Sequence, residues 1–384
     1  MKRAFKTEIL LTEEQALKIR KTIGVCRYVY NLFLSKNIEN YKNSGSFIGG
    51  MDFSKWLNNI HTIEKDQWIK EVSSKAVKQA IMTADKAYKN FFKGQAKFPR
   101  FKKKKNQDVK AYFPKNNRTD WTIERHRIKI PTLGWIRLKE YGYIPKNAKV
   151  SSGTVSLKAG RYYVSVLCEV SGGNESNINT QDGIGLDLGL KDFAIASDGQ
   201  TFKNINKTVK VKKLEKSLKR QQRVLNKKLE SKKKRGENGS KNIRKQILKV
   251  QKLHSRLASK RQEYVRNVAI TLVKTKPKYI VIEDLNVKGM MKNRHLADSV
   301  SKQNFYSFTH FLLNKCNQYG IELRKVDRWY PSSKLCSTCG YKKTRLSLRE
   351  RVFKCESCDT ELDRDFNASL NLKYAAEYTI ITSR

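Results

Sequence analysis

The apolar positions change period twice along the chain. Residues 1–10 alternate polar and apolar, as a short strand does. Thr12, followed by Glu13, Glu14 and Gln15, forms a capping arrangement, after which Leu17, Val25, Val29, Leu32 and Phe33 recur at helical spacing and predict a helix to about Tyr41. The segment 45–50 breaks it. Two further helical patterns, 53–61 and 73–92, complete a small helical bundle over 11–93. From Gly94 the period shortens to two, and strand-like stretches at 110–114, 121–130, 135–138, 151–157 and 162–170 predict a small β-barrel.

The segment 171–180, rich in Gly, Asn, Ser and Thr, reads as a linker. Beyond it a strand at 183–188 and a hairpin partner at 193–197 are followed by two long, Lys- and Arg-rich helical patterns between 209 and 273, interrupted at 236–240. A strand at 279–282, a helix at 303–320, a strand at 321–326, a cysteine cluster and a last helix from Asn367 to about Ala376 complete the pattern. Strands alternating with helices predict α/β architecture, so the chain is expected to be multidomain, α+β and then α/β.

Composition adds a partner. Lys and Arg number 81 against 35 Asp and Glu, a formal charge of +46. A compact body carrying that charge repels itself unless a polyanion neutralises it, and a long structured RNA, or RNA with DNA, fits such a count better than one short duplex. Hydrophobic residues make up 39% of the chain, enough for real cores, and no apolar run approaches membrane-spanning length. Because residues 1–6 lead straight into an amphipathic pattern, no signal peptide is expected, and the cytoplasm, close to the nucleoid, is the expected location. Of seven cysteines, four form two Cys-x-x-Cys pairs while Cys26, Cys168 and Cys316 stand apart, which speaks for metal binding under reducing conditions and against a disulfide framework.

Three carboxylates sit where apolar segments end. Asp187 interrupts Ile184-Gly185-Leu186-Asp187-Leu188-Gly189, Glu283 ends Tyr279-Ile280-Val281-Ile282-Glu283, and Asp365 opens the final helix. A carboxylate in a β core is costly unless it is paired or binds a cation. Converging, the three would hold two Mg²⁺ ions, with Mn²⁺ as a substitute, for phosphodiester hydrolysis. Taken singly, each is as well explained by a cap or a lysine partner. Asp284 competes with Glu283 by adjacency, and Asp363 with Asp365. Strand alternation allows only one of two neighbours to point inward.

Cys336, Cys339, Cys355 and Cys358, with fifteen residues between the pairs, have the spacing of a four-thiolate zinc ribbon. Such a set leaves no ligand position for water, so its single Zn²⁺ is expected to be structural. Lys342, Lys343, Arg345, Arg349, Arg351 and Lys354 between the pairs are expected to meet phosphate. Phe98, Phe101, Tyr112, Phe113 and Trp121, beside the basic run 102–105, are candidates for base stacking or for core packing. His254, His295 and His310 have no partner at ligand spacing.

These motifs, in this order, resemble the TnpB family of transposon-encoded RNA-guided nucleases, relatives of the compact type V CRISPR effectors. The likeness rests on Gly185-Leu186-Asp187-Leu188-Gly189, Val281-Ile282-Glu283-Asp284-Leu285-Asn286-Val287, Pro331-Ser332-Ser333-Lys334-Leu335-Cys336-Ser337-Thr338-Cys339-Gly340 and Leu362-Asp363-Arg364-Asp365-Phe366-Asn367-Ala368. Arg27-Tyr28-Val29-Tyr30-Asn31 and Lys97-Phe98-Pro99-Arg100-Phe101-Lys102 match too. The resemblance implies a helical recognition lobe (11–93) inserted in an oligonucleotide-binding wedge barrel (1–10 and 94–175). It implies next a RuvC-like RNase H fold (181–330 and 361–384) that carries the zinc ribbon (331–360). It implies that Asp187, Glu283 and Asp365 are the catalytic, magnesium-binding carboxylates of an endodeoxyribonuclease. A transposon-derived guide RNA would pair with double-stranded target DNA beside a transposon-associated motif, on a monomer. Over 204–270 the likeness extends only to helical character. Two other readings fit parts of the sequence: a guide-dependent repressor that no longer cuts, which predicts a broken carboxylate trio, and a non-catalytic DNA-binding accessory protein of transposition.

Overall fold

The computed structural model describes residues 2–104, 109–115, 121–170, 182–235, 240–347 and 349–382. The expected linker 171–180, residues 236–239 of the expected helix break, and Lys105 of the basic run lie outside the described residues. The chain divides into two compact units, Met1–Gly172 and Gly173–Arg384.

The first unit combines an antiparallel sheet with helices. Strand β1 (Lys2–Leu10) leads into helix α1 (Glu13–Ser44), where Thr12 and Gln15 form a reciprocal capping box. Short helices α2 (Gly50–Trp56) and α3 (Thr62–Glu64) precede α4 (Ser74–Phe92). Val25, Val29 and Phe33 of α1, spaced one helical turn apart, pack with Phe53, Leu57, Ile81 and Tyr88. Then come β2 (Ala111–Pro114), β3 (Thr122–Ile123), β4 (Arg127–Ile130), β5 (Gly134–Leu138), β6 (Lys149–Lys158) and β7 (Arg161–Glu169). The seven strands pair in the order β2-β6-β7-β1-β5-β4-β3.

The expected barrel is therefore an open sheet: among the described residues its edge strands β2 and β3 do not pair. β3 is two residues long and β2 ends on Pro114, which has no N–H to donate. The indole of Trp121 packs on β6 at Gly153, so close that a Cβ there would meet it at 2.2 Å. The stretch 121–130, expected as one strand, is a hairpin in which Thr122 pairs with Lys129 and Ile123 with Ile128.

The second unit is built on a six-stranded sheet in the order β10-β9-β8-β11-β12-β15. It comprises β8 (Ile184–Leu188), β9 (Asp192–Ala196), β10 (Thr201–Lys203), β11 (Tyr279–Glu283), β12 (Glu322–Val326) and β15 (Thr379–Ile380). β8, β11 and β12 run parallel, flanked by antiparallel partners. Two long helices, α5 (Val209–Arg235) and α6 (Lys241–Lys274), form a hairpin. Its narrow seam repeats every seven residues, Val211 with Leu218 and Val250 with Leu257. Short α7 (Val287–Met290) and α8 (Ala297–Gln303) lead to α9 (Phe305–Tyr319). A two-stranded ribbon, β13 (Val352–Lys354) and β14 (Glu361–Asp363), precedes the last helix, α10 (Arg364–Lys373). α6 and α9 bury one face of the sheet over Leu186, Ile280, Ile282 and Leu323, and α10 covers the other. Among the described residues no helix is long and apolar enough to cross a membrane.

Candidate functional site

Alternation along β8 and β11 decides which side chains meet. Ile184, Leu186 and Leu188 enter the core under α6 and α9, so Gly185 and Asp187 face the opposite side. On β11, Ile280 and Ile282 join that same core, whereas Val281 packs with Leu372 and Ala375 against α10. Glu283 therefore shares the α10 face with Val281. Because Val281 pairs with Gly185 and Ile282 with Leu186, continuing the parallel register sets Glu283 beside Asp187.

Gly185 brings in the third carboxylate. A Cβ at this position would meet the carbonyl oxygen of Ser369 at 2.0 Å and the backbone nitrogen of Lys373 at 2.4 Å, so only glycine lets α10 lie this close to the strand. α10 runs against the direction of β8. Two residues up the strand advance about 6.7 Å, and four residues down the helix about 6 Å. That brings the start of α10, with Asp365, toward Asp187, whose carboxyl feels the charge of Asp365.

The electrostatics agree with this placement. Burial, and after it the negative charges of Asp365 and Glu283, push the Asp187 carboxyl up to about 7. Burial raises Glu283 as well, followed by the charge of Asp284. Asp284 itself turns to other work: its carboxylate accepts from the Arg328 guanidinium at 2.9 Å and from Lys325 Nζ at 3.2 Å. The Arg328 bond, with Lys325 after it, holds Asp284 below the usual carboxylate range. Asp363 is likewise occupied, as the N-cap of α10, where its Oδ1 accepts from the backbone N–H of Asp365 and Phe366, both at 3.0 Å. Asp365 lies in the first turn of α10, its carboxylate 3.9 Å from the Arg351 guanidinium.

The four cysteines lie in the same unit. All four Sγ atoms are within 4.8 Å of one another, with Cys336 to Cys358 and Cys339 to Cys355 each at 3.6 Å. A tetrahedron with metal–sulfur bonds of about 2.3 Å has edges of about 3.8 Å, so the thiols fit one ion. Each pair ends in a left-handed residue, Gly340 at φ 75° and Asp359 at φ 53°, which folds the chain back over the sulfurs. Two asparagines one helical turn apart, Asn367 and Asn371, fasten this segment to α10. Asn367 donates to Leu335 O at 2.7 Å and accepts from Ser337 N–H at 3.0 Å, and Asn371 donates to Ser332 O and Leu335 O, both at 2.7 Å.

Some expected residues do other things. Phe113 and Trp121 are buried in the sheet core and unavailable for base stacking, while Phe98 and Phe101 remain exposed. Arg345 and Arg349 are exposed, but Lys343 faces Glu356 at 3.6 Å. Cys26 and Cys316 are buried with thiols pushed up to about 12, and burial pushes Cys168 up to about 11, so all three stay protonated and serve packing. Sequence reasoning named Gly185 without a packing role and set Arg351 against phosphate, not beside Asp365. It missed Asn371, although its spacing from Asn367, polar at helical spacing beside buried neighbours, left a readable signal.

Residues 1–46 match a family model described as a helix-turn-helix domain, 164–294 one described as a probable transposase, and 305–372 one described as a Cas12f1-like TNB domain. In this structure the first of these stretches is a strand and one continuous helix. A candidate RNA-guided DNA endonuclease of Streptomyces pristinaespiralis is 31% identical over 375 residues, covering 97% of this chain and 89% of that protein. A candidate RNA-guided DNA endonuclease of Escherichia coli K12, InsQ, is 31% identical over 389 residues, covering 96% and 91%. Among solved structures, Cas12f1 in complex with a single-guide RNA and target DNA superposes with a TM-score of 0.55 at 16% identity, over 96% of this chain and 84% of that one. The shared fold is a mixed α and β one with several sheets. Identity of this extent along nearly the whole of both full-length relatives fixes the kinship: the chain belongs to the TnpB family, the OrfB proteins of IS605-type elements.

Proposed function

We propose that this protein is an RNA-guided DNA endonuclease that cuts by metal-assisted phosphodiester hydrolysis. The observation that carries the reading is the placement of Asp187, Glu283 and Asp365, from three separate elements, on one face of the sheet. Three carboxylates offer hard oxygen donors suited to Mg²⁺ or Mn²⁺. When bound there, two such ions supply Lewis-acid stabilisation of the attacking and leaving oxygens. The protein's own part is positional. β8 and β11 hold Asp187 and Glu283 rigidly, and the first turn of α10 holds Asp365, where the helix dipole favours its charge. Asp284 and Asp363, tied to other partners, stay out of the site.

The four thiolates would hold one Zn²⁺, which closes the 331–360 segment and takes no part in the chemistry. On this reading residues 181–330 and 361–384 are the RuvC-like nuclease domain. Residues 11–93 are the recognition lobe, and 1–10 with 94–175 the wedge. RNA guidance and a DNA target are supported by the names of the relatives matched along nearly their whole length, and a polyanionic partner by the charge of +46. The guide is an RNA transcribed from the element itself, held by one protein chain at the nucleoid.

The test is reconstitution. Protein co-expressed with its flanking element end is purified with whatever RNA it holds and given plasmids that carry the guide-matched target beside randomised flanks. Double-strand cutting at the matched site with Mg²⁺, confined to a subset of flanks, is expected. RNA and target binding without cutting in Mg²⁺ or Mn²⁺ would leave the accessory-protein reading in its place.

A further inference from the structure

Two motifs distant in sequence, Arg27-Tyr28-Val29-Tyr30-Asn31 and Lys97-Phe98-Pro99-Arg100-Phe101-Lys102, have no part in the carboxylate or cysteine sites. In the first unit they are joined. Asn31 donates its side-chain amide to Lys102 O at 3.0 Å and accepts from Lys102 N–H at 2.7 Å, pairing with that peptide group as another peptide would. Lys102 Nζ also lies over the Tyr30 ring, 5.1 Å from its centroid. The clamp fixes the loop against α1 and sets Lys103 and Lys104 around a cavity of about 270 Å³ that Arg20, Gly24 and Arg27 line from the helix.

Arg20, Gly24, Arg27 and Asn31 follow one another at spacings of four, three and four, so they share one face of α1. None of Arg20, Arg27, Lys103 and Lys104 forms an ion pair among the described residues, whereas Lys18 and Lys21 on the same helix are paired with Glu14 and Glu71. Gly24 is the second observation. Glycine inside a helix costs roughly 0.5–1 kcal/mol relative to alanine. Packing does not require it here, because a Cβ would meet nothing within 4 Å. A helix that gives up stability to keep open space between cations with no ion pair among the described residues is shaped for close approach of an anion to its backbone.

We infer that this pocket is a phosphate clamp, taking a backbone phosphodiester of the nucleic acid the protein carries, with Asn31 as its positioning residue. The inference rests on the reading that the chain binds nucleic acid. It is tested by binding, which does not depend on cutting. Gly24→Leu adds no charge, fills open space and exchanges a poor helix former for a good one, so thermal stability should hold or rise while affinity falls roughly tenfold, the loss expected of one phosphate contact. Arg27→Gln with Lys103→Gln should flatten the slope of log affinity against log salt by about 0.7 to 0.9 per contact removed. Lys18→Gln with Lys21→Gln, which removes equal charge from paired lysines, should change it far less. Measuring guide RNA and target duplex in separate arms identifies which polymer supplies the phosphate. Unchanged affinity of folded Gly24→Leu for both polymers would overturn the clamp. So would equal flattening by the two double variants, which would reduce the patch to a general field.

Discussion

At the scale of single residues, the sequence offered two pairs of neighbouring carboxylates, and the structure gives the members of each pair different partners. Asp187 stood out as a carboxylate inside an apolar strand, although taken singly a cap or a lysine partner explained it as well. Glu283 and Asp284 were not separable by composition. They are separated by the alternation of β11, which turns Glu283 toward α10, and by Arg328 and Lys325, which take Asp284. Asp363 and Asp365 part for a different reason, since the cap of α10 needs the first. One expectation follows directly. Asp284→Asn breaks only partly exposed ion pairs, worth on the order of 0–1 kcal/mol, so the variant should melt within a few degrees of the parent and cut within a few-fold of it. A dead but folded Asp284→Asn enzyme in a plasmid assay would reverse the choice between the two carboxylates.

At the scale of elements, periodicity found the long pieces and missed the short ones. α1 with its Thr12 cap was plain, because cap chemistry and helical spacing agreed. The hairpin at 122–130 was hidden, since its ladder narrows to a turn at Arg125 and His126 with none of the Asn-Gly chemistry that marks such loops. The start of α10 was placed late because Asp363 was weighed only as a ligand. The docking of α10 was illegible altogether, as it depends on the missing side chain of Gly185. Gly185→Ala should therefore be severe: the new methyl meets helix backbone that has nowhere to move, at a cost on the order of 3 kcal/mol. Urea denaturation should show that loss, and cutting should fall with it. Full stability of Gly185→Ala would disprove the close approach of strand and helix. The cysteine segment yields a second expectation. Freshly reduced protein should contain about one zinc per chain, and a chelator should raise amide exchange over 331–360 before the rest of the unit opens. Absence of zinc, or full stability of the Cys336→Ser, Cys355→Ser variant, would count against a metal-closed lobe.

At the scale of the whole molecule, the charge of +46 was legible from the first and the architecture only in outline. Alternating strands announced a small β-domain, but whether a sheet closes depends on edge length and register. Here a two-residue β3 and Pro114 leave it open among the described residues. The charge predicts dependence on a partner: the protein should be markedly stabilised by its own guide RNA, through binding to the folded state alone. Thermal melts with that RNA, with unrelated RNA of equal length and with none should show the largest shift for the first. Equal shifts from both RNAs would reduce the partner to any polyanion.

The central claim is that three carboxylates perform the cutting and do not hold the partners, and one paired measurement tests it. Asp187→Ala, Glu283→Gln and Asp365→Asn, each loaded with guide RNA, are compared with the parent for target binding and for target cleavage in the same Mg²⁺ buffer. The account predicts binding as tight as the parent's or tighter, because each change removes negative charge facing phosphate. It also predicts cleavage slower by several orders of magnitude in every variant. Cleavage near the parental rate by all three variants would contradict it.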